Sequence, residues 1–325
     1  MIVELLEIAA TTLALASAPL TSSPQTSEPI YGGTTVPPEA WRAVVVVDFG
    51  IDLCTGTLVA PDVVLTAAHC LYSQPPPQLI EIKIGNDRSS PELVLPVESY
   101  EVHPAFCANI FECEFDLYDY AYIVLGEPAP DDAVFPNVLV EQEVWDETMY
   151  KDSLVTHVGF GYDDSFVRGV KRMVEFPIVG FTRSGLEFQA GGDGKDGCQG
   201  DSGGPVFAHT RDGEWFLAGV ASRGISCGEG GYFGIAHPAL CWIGAERGIV
   251  WNPDDDQCGG CGCVHTDPRR HAASEGCSVT RDDAPATPLA LSVIFALALA
   301  RRRRARRLLS SPAKGSPRGR EDFRI

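Results

Sequence analysis

Lys195-Asp196-Gly197-Cys198-Gln199-Gly200-Asp201-Ser202-Gly203-Gly204-Pro205 is the run of the chain in which loop-forming and reactive residues lie closest together. Its glycines permit backbone angles that other residues rarely adopt. They surround one hydroxyl, Ser202, with Asp201 beside it and Asp196 six residues earlier. A serine is a poor nucleophile until a base removes its proton. A candidate base stands upstream in Thr66-Ala67-Ala68-His69-Cys70, and a candidate acid to orient it opens Asp119-Tyr120-Ala121-Tyr122-Ile123-Val124-Leu125. Downstream, Ser222-Arg223-Gly224 precedes Cys227. Taken singly, each segment has an ordinary reading: a structural His, a strand-end Asp, a tight glycine turn. The order His, Asp, Ser is what makes the set specific.

The surrounding chain is built of short apolar, β-branched runs broken by Gly, Pro, Asp and Asn. Examples are Ala43 to Val47, Gly56 to Ala60, Ile80 to Ile84, Ala121 to Leu125, Leu154 to Phe160 and Trp215 to Val220. Long helical periodicity is missing, which favours an all-β sandwich or barrel. One helix is expected from Pro238 to about Arg247, because proline suits a first helical turn. Residues 252–286 are rich in Gly, Asp and Cys and read as a linker or a small stapled segment. No internal repeat of fixed period is visible.

Of the 325 residues, 45% are hydrophobic and 21% charged, which is enough apolar material for a core and excludes a disordered acidic protein. The net charge is −19, from 25 Lys and Arg against 44 Asp and Glu. Residues 301–325 carry +8, so the remainder carries −27. A body that acidic repels phosphate and argues against nucleic-acid binding.

Both ends carry targeting-like features. Residues 8–18 form a short apolar stretch ending in Ala16-Ser17-Ala18, so residues 1–18 read as a signal peptide and 19–29 as a leader. The n-region holds Glu4 and Glu7 and no Lys or Arg. Residues 289–300 are apolar and run into Arg301 to Arg304. Twelve residues at about 1.5 Å each fall short of a bilayer core of about 30 Å. The arginines would lie in the cytoplasm, with residues 30–280 outside.

Eleven cysteines in an exported chain point to disulfides, and the odd number leaves one sulfur for another use. Cys258-x-x-Cys261-x-Cys263 has metal-like spacing with His265 nearby, but the exported setting favours disulfides over zinc.

With these segments the chain resembles the chymotrypsin-like (trypsin-type) serine peptidases, from about Ile30 to Val250. The resemblance implies two six-stranded antiparallel Greek-key β-barrels with the active site between them and a short C-terminal helix. It implies a serine endopeptidase with no cofactor and no metal, acting through His69, Asp119 and Ser202, with Asp116 as the nearest rival to Asp119. The backbone N–H groups of Gly200 and Ser202 would form the oxyanion hole. Asp196 would sit at the base of the primary specificity pocket and select polypeptides with Arg or Lys before the cut bond, and Gly197 and Gly231 would leave its walls open. Ser222, Arg223 and Gly224 would meet the substrate strand. The implied bridges are Cys54–Cys70 and Cys198–Cys227; Cys107 and Cys113 are close enough in sequence to close a small extra loop before Asp119. The pairing of Cys241, Cys258, Cys261, Cys263 and Cys277 stays open.

Arg223 stands where the family usually has Trp. Its charge would favour acidic or polar residues upstream of the cut, unless it simply points to solvent. Ile30-Tyr31-Gly32-Gly33 resembles the family's mature N-terminus, whose ammonium would pair with Asp201, but Pro29 precedes it where Arg or Lys is usual. The C-terminal part, with Gly276-Cys277-Ser278, the apolar run and the arginines, resembles a sorting signal of the MYXO-CTERM kind. That resemblance implies cell-surface anchoring after removal of the tail in residues 287–325, with Cys277 as the candidate modified residue and Cys263 as the rival. A simple membrane anchor is the other reading. The competing function is a non-catalytic binding protein on the same scaffold. It is disfavoured because the triad, Gly200 and Asp196 are all present.

Overall fold

A computed structural model describes residues 30–266 except Tyr31, Pro38, 109–116, Ile225 and Asp256. The signal-peptide, leader, sorting-signal and tail readings, with Asp116, Cys113 and Cys277, lie outside the described residues.

The first barrel closes on six strands: β2 (Val44–Asp48), β3 (Leu53–Ala60), β4 (Val63–Thr66), β5 (Glu81–Ile84), β6 (Leu93–Val102) and β7 (Ala121–Leu125), in the order β2-β3-β4-β7-β6-β5. The second uses β9 (Leu154–Gly159), β10 (Arg172–Phe181), β11 (Glu187–Ala190), β12 (Pro205–His209), β13 (Trp215–Gly224) and β14 (Gly231–Ile235). Its order, β9-β10-β11-β14-β13-β12 with β9 and β10 paired, repeats the first barrel's. All these pairings are antiparallel. Two short strands, β1 (Thr34–Thr35) and β8 (Asn137–Val138), pair with β10 and β13. The two barrels share a strand order although the sequence has no fixed-period repeat, because topology depends on pairing and not on residue identity.

Strand burial explains the continuous apolar runs. In β2, Val45 and Val47 fill the first barrel, while Val44 and Val46 face a core shared with the second barrel. β7 divides in the same way: Ala121, Ile123 and Leu125 point inward, Tyr122 and Val124 toward the shared core. Strands covered on both faces lose the apolar–polar alternation of a half-exposed sheet.

The expected C-terminal helix is α3 (Ala236–Arg247), with Pro238 in its first turn and Gly248 closing it at φ 69°. Ala236, Ala239, Leu240 and Ile243 pack into the shared core. Two shorter helices, α1 (Ala68–Leu71) and α2 (Gln142–Thr148), carried no periodic signal, being too short to show one. None of the described helices is long and apolar enough to cross a membrane.

Cys54–Cys70 and Cys198–Cys227 are bridged as expected. Cys107 is also disulfide-bonded. Cys241–Cys261 and Cys258–Cys263 staple the segment after α3, so these sulfurs are not zinc ligands. His237 Nε2 lies 2.9 Å from the Gly262 carbonyl, adding a clasp to the same segment. Such bridges belong to an oxidising compartment.

The outer end of the first barrel is locked by Asp48, buried to 3% exposure. Its carboxylate accepts from Lys83 Nζ at 2.6 Å and from Arg88 Nε at 2.8 Å and Nη2 at 2.7 Å. Burial alone would raise its pKa, but the two cations outweigh burial and hold it well below the usual carboxylate range. Its stabilisation is therefore present above the ordinary carboxylate pKa and is lost as pH falls toward the depressed one. Asp48→Asn, which keeps the shape and strands two partly buried cations, is expected to cost about 3 kcal/mol. The midpoint of urea unfolding measures it.

Candidate active site

The site is assembled from both barrels. The first supplies His69, on α1, and Asp119, just ahead of β7; the second supplies Ser202, ahead of β12, and Ser222, on β13. Asp119 is 5% exposed, and every contact on its carboxylate fixes something. Oδ1 accepts from the His69 backbone N–H at 2.9 Å. Oδ2 lies 2.7 Å from His69 Nδ1 and accepts from Ser222 Oγ at 2.6 Å. Nδ1 thus carries the ring hydrogen, and the Nε2 lone pair is left toward the cleft. Among the described residues no hydrogen bond joins Nε2 to Ser202 Oγ. Such contacts commonly tighten only with substrate bound.

The loop that carries Ser202 is held from both sides. Asp201 N–H donates to the Cys198 carbonyl, Gly203 N–H to Ala221 and Gly204 N–H to Asp201. The N–H groups of Gly200 and Ser202, interleaved with these, have no protein acceptor among the described residues. Gly200 stands at φ 105°, and a Cβ there would meet Gly161 Cα at 2.9 Å and Leu53 Cδ1 at 3.0 Å. Only glycine fits both constraints. Thr55, fully buried on β3, braces the loop across the barrels: its N–H donates to the Ser202 carbonyl at 2.9 Å and its Oγ1 to the Gly200 carbonyl at 2.8 Å. Thr55 carried no signal in the sequence, because its partners lie some 145 residues away.

Beside Ser202 opens a pocket of about 150 Å³ lined by Asp196, Gly197, Ser222, Arg223, Gly224 and Gly231 among others. The Cys198–Cys227 bridge forms part of its wall. Asp196 is 2% exposed; one carboxylate oxygen accepts from Gly197 N–H at 2.7 Å, and Oδ2 has no partner. Burial pushes its pKa up to about 7. A Cβ on Gly231 would come within 3.3 Å of the carboxylate, so a side chain there would fill the space above it.

Arg223 does not simply point to solvent. Its guanidinium is held in a fork by Glu187, at 2.6 and 2.8 Å, and lies 4.4 Å over the Tyr232 ring. Glu187 is 2% exposed, and its partnership with Arg223 is a second feature that local sequence did not announce. Its charge neutralises that of Arg223 at the pocket rim.

Asp201 is buried to 1% exposure, its two carboxylate oxygens accepting from Gly161 N–H at 2.7 Å and Cys198 N–H at 2.9 Å. Ile30 is fully buried in the second barrel's core, with Trp145, Phe176, Phe188 and Phe233.

The family model for Trypsin matches residues 30–241, most of the chain. The chain belongs to the trypsin family. That is a family of serine endopeptidases, and both the double barrel and the Ser202 loop fit it. Among curated proteins it is similar to coagulation factor XII of Sus scrofa, 28% identical over 248 residues, covering 66% of this chain and 39% of that protein. Coagulation factor XII of Bos taurus is likewise 28% identical, over 244 residues, with coverages of 66% and 39%. The chain thus spans about two fifths of the length of these relatives.

Proposed function

We propose that the protein is an exported serine endopeptidase that cuts polypeptides after Arg or Lys through His69, Asp119 and Ser202. One observation supports the reading most: Asp119 Oδ2 holds His69 Nδ1 at 2.7 Å, while among the described residues the N–H groups of Gly200 and Ser202 have no protein acceptor.

In the first step, Ser202 Oγ adds to the scissile carbonyl carbon as its proton passes to His69 Nε2. The carbonyl π pair moves onto oxygen, and the Gly200 and Ser202 N–H groups receive that oxyanion. Asp119 stabilises the imidazolium without taking its proton. When the tetrahedral adduct collapses, the C–N bond breaks and Nε2 gives its proton to the departing amine. Water repeats the sequence on the acyl-enzyme and restores Ser202. Asp196, buried without a cation of its own, supplies the Arg or Lys selectivity, since a neutral side chain would leave its charge unpaired. With Arg223 already neutralised by Glu187, the upstream preference for acidic residues is expected to be weak.

Activation follows from removal of residues 1–29. The new Ile30 ammonium would pair with Asp201 and order the oxyanion loop. Since Pro29 is a poor site for a trypsin-like activator, another peptidase makes this cut. N-terminal sequencing of active enzyme is expected to begin at Ile30; any other start removes the Ile30–Asp201 pairing. Retention at the cell surface through residues 287–325 belongs to the same reading, and the mass of the mature C-terminus tests it. A fluorophosphonate probe tests the chemistry: labelling is expected at Ser202 alone, and its absence in processed protein would leave the binding-scaffold alternative.

A further inference from the structure

His157 lies in the interior of the second barrel, where packing calls for an apolar side chain. It is fully buried, opposite Val174 of β10 and Val206 of β12, between the rings of Phe176 and Phe233 at centroid distances of 6.4 and 5.6 Å. Nδ1 lies 2.9 Å from the Pro205 carbonyl oxygen and so carries a hydrogen. Nε2 has no hydrogen-bond partner among the described residues, a costly state for a buried polar atom. That nitrogen lies against Gly197: a Cβ there would stand 3.2 Å from Nε2 and 3.5 Å from Asp201 Cβ. His157 Nε2 and the Asp201 side chain therefore bracket the same glycine.

Asp201 is the other half of the puzzle. It holds two backbone hydrogen bonds and, among the described residues, no ion pair. Two further charged groups act on it. Asp196 shares its loop, and Arg172 of β10 is committed to Asp163 at 2.6 Å and to the Val167 and Val170 carbonyls. From β12 the Val206 side stands opposite the imidazole in register and the Pro205 carbonyl meets Nδ1, and from β14 the Phe233 ring packs on it. The Ile30 side chain lies in the same core cluster as Phe176 and Phe233, the two rings that flank His157.

We propose that His157 is a positioning residue for the oxyanion loop: with a proton between Nε2 and Asp201, the uncut chain carries its own counterpart to the Ile30 ammonium, and acid orders Gly200 to Ser202 without cleavage. This rests on the reading of Asp201 as the activation partner. Burial lowers the His157 pKa and raises that of Asp201, while each pulls the other back, so the pair takes up one joint proton as pH falls. Once rising pH has removed that joint proton the bridge is absent and the chain waits for the cut. Once the ammonium arrives, the bridge is no longer needed.

The test uses the full chain, uncut, beside a P29R variant processed after the introduced arginine, with 4-aminobenzamidine fluorescence reporting a formed pocket between pH 8 and pH 5.5. Asp196 titrates in both forms, so the ratio of the uncut to the processed Kd cancels it. That ratio is expected to fall about tenfold across the range, the equivalent of one pKa unit of coupling. In His157→Val it is expected to stay flat, while the processed His157→Val enzyme keeps its activity at pH 8, which also proves its fold. A flat ratio in the wild-type protein, with the processed form active, overturns the role of His157 alone. The same fall in His157→Val overturns it too and assigns the effect to another titrating group, Arg172 being charged throughout the range. A processed chain that neither binds the probe nor hydrolyses peptides overturns the activation reading and this role with it.

Discussion

Ser202→Ala is expected to lower kcat/KM on an Arg-terminated peptide substrate by on the order of 10⁶-fold, with the unfolding midpoint nearly unchanged. The loss is large because the nucleophile, its base and the orienting carboxylate act as one unit. Without Oγ there is nothing for His69 to deprotonate and no acyl-enzyme to form. The residual rate should still exceed that of water by roughly 10³–10⁴, because the Gly200 and Ser202 N–H groups are backbone atoms and survive the substitution. Stability changes little, since Ser202 holds its loop through its carbonyl, which accepts from Thr55 N–H, and not through its side chain. Steady-state kinetics with active-site titration, alongside urea unfolding, measures both. A loss of less than about 100-fold would remove Ser202 from the nucleophile's role.

Asp196→Ser is expected to lower kcat/KM for Arg and Lys substrates by roughly 10⁴-fold and to leave small apolar residues before the cut nearly unaffected. The carboxylate has a partnerless Oδ2 and, among the described residues, no ion pair, the Arg223 of the same pocket being held by Glu187, so a cationic substrate side chain would supply the counter-ion. The same isolation sets a pH dependence. Burial raises Asp196 to about 7, so the free enzyme presents a neutral carboxyl below that pH and a charge above it. Benzamidine should therefore bind about tenfold more tightly for each pH unit up to about 7, level off beyond, and release protons as it binds near neutrality. The opposite sign holds for stability. The folded state keeps this proton to a higher pH than the unfolded chain, so Asp196 takes stability away as pH rises from the ordinary carboxylate pKa toward about 7. Asp196→Ser should remove both trends. Isothermal calorimetry in two buffers, with a panel of Arg, Lys, Phe and Ala substrates, decides it. A pH-independent Kd in the wild type, or unchanged Arg preference in the variant, would reject the assignment.

Charge works at longer range. Residues 30–250 carry −20, more than the net figure for the whole chain, because the +8 of residues 301–325 offsets it in the sum. Such a field draws basic peptides toward the cleft and weakens with salt. In the proposed reading specificity would still rest on Asp196, since a diffuse field does not distinguish one side chain in a substrate from the next.

The parts of the site that were legible in sequence are those whose chemistry is local. Ser202, Gly200 and Asp196 lie within seven residues, and the loop's glycines announce its backbone before any packing is known. His69 and Asp119 were singled out by their order and by the strand that follows Asp119, and the fold brings the two side chains to 2.7 Å. Ser222 was expected beside the substrate, and the fold also sets it on the Asp119 carboxylate at 2.6 Å. Arg223 showed its departure from the family but not its partner, because Glu187 reaches it from another strand. The β2 and β7 runs declared strands without declaring which core each side chain would enter.

What the sequence by itself determined was the all-β class and the bridges beside His69 and the pocket, and it named the candidates for the reactive groups. Each of these rests on residue types at short spacing or on a family pattern carried by them. Only the tertiary structure decided that Thr55 braces the Ser202 loop, that Arg223 is neutralised, that Cys241 and Cys261 staple the segment after α3, and that His157 and Asp201 meet across Gly197. Those contacts join residues tens to more than a hundred positions apart. They exist because two closed barrels bury both faces of their strands, and burial turns an unpaired charge or nitrogen into a determinant of what its neighbours do.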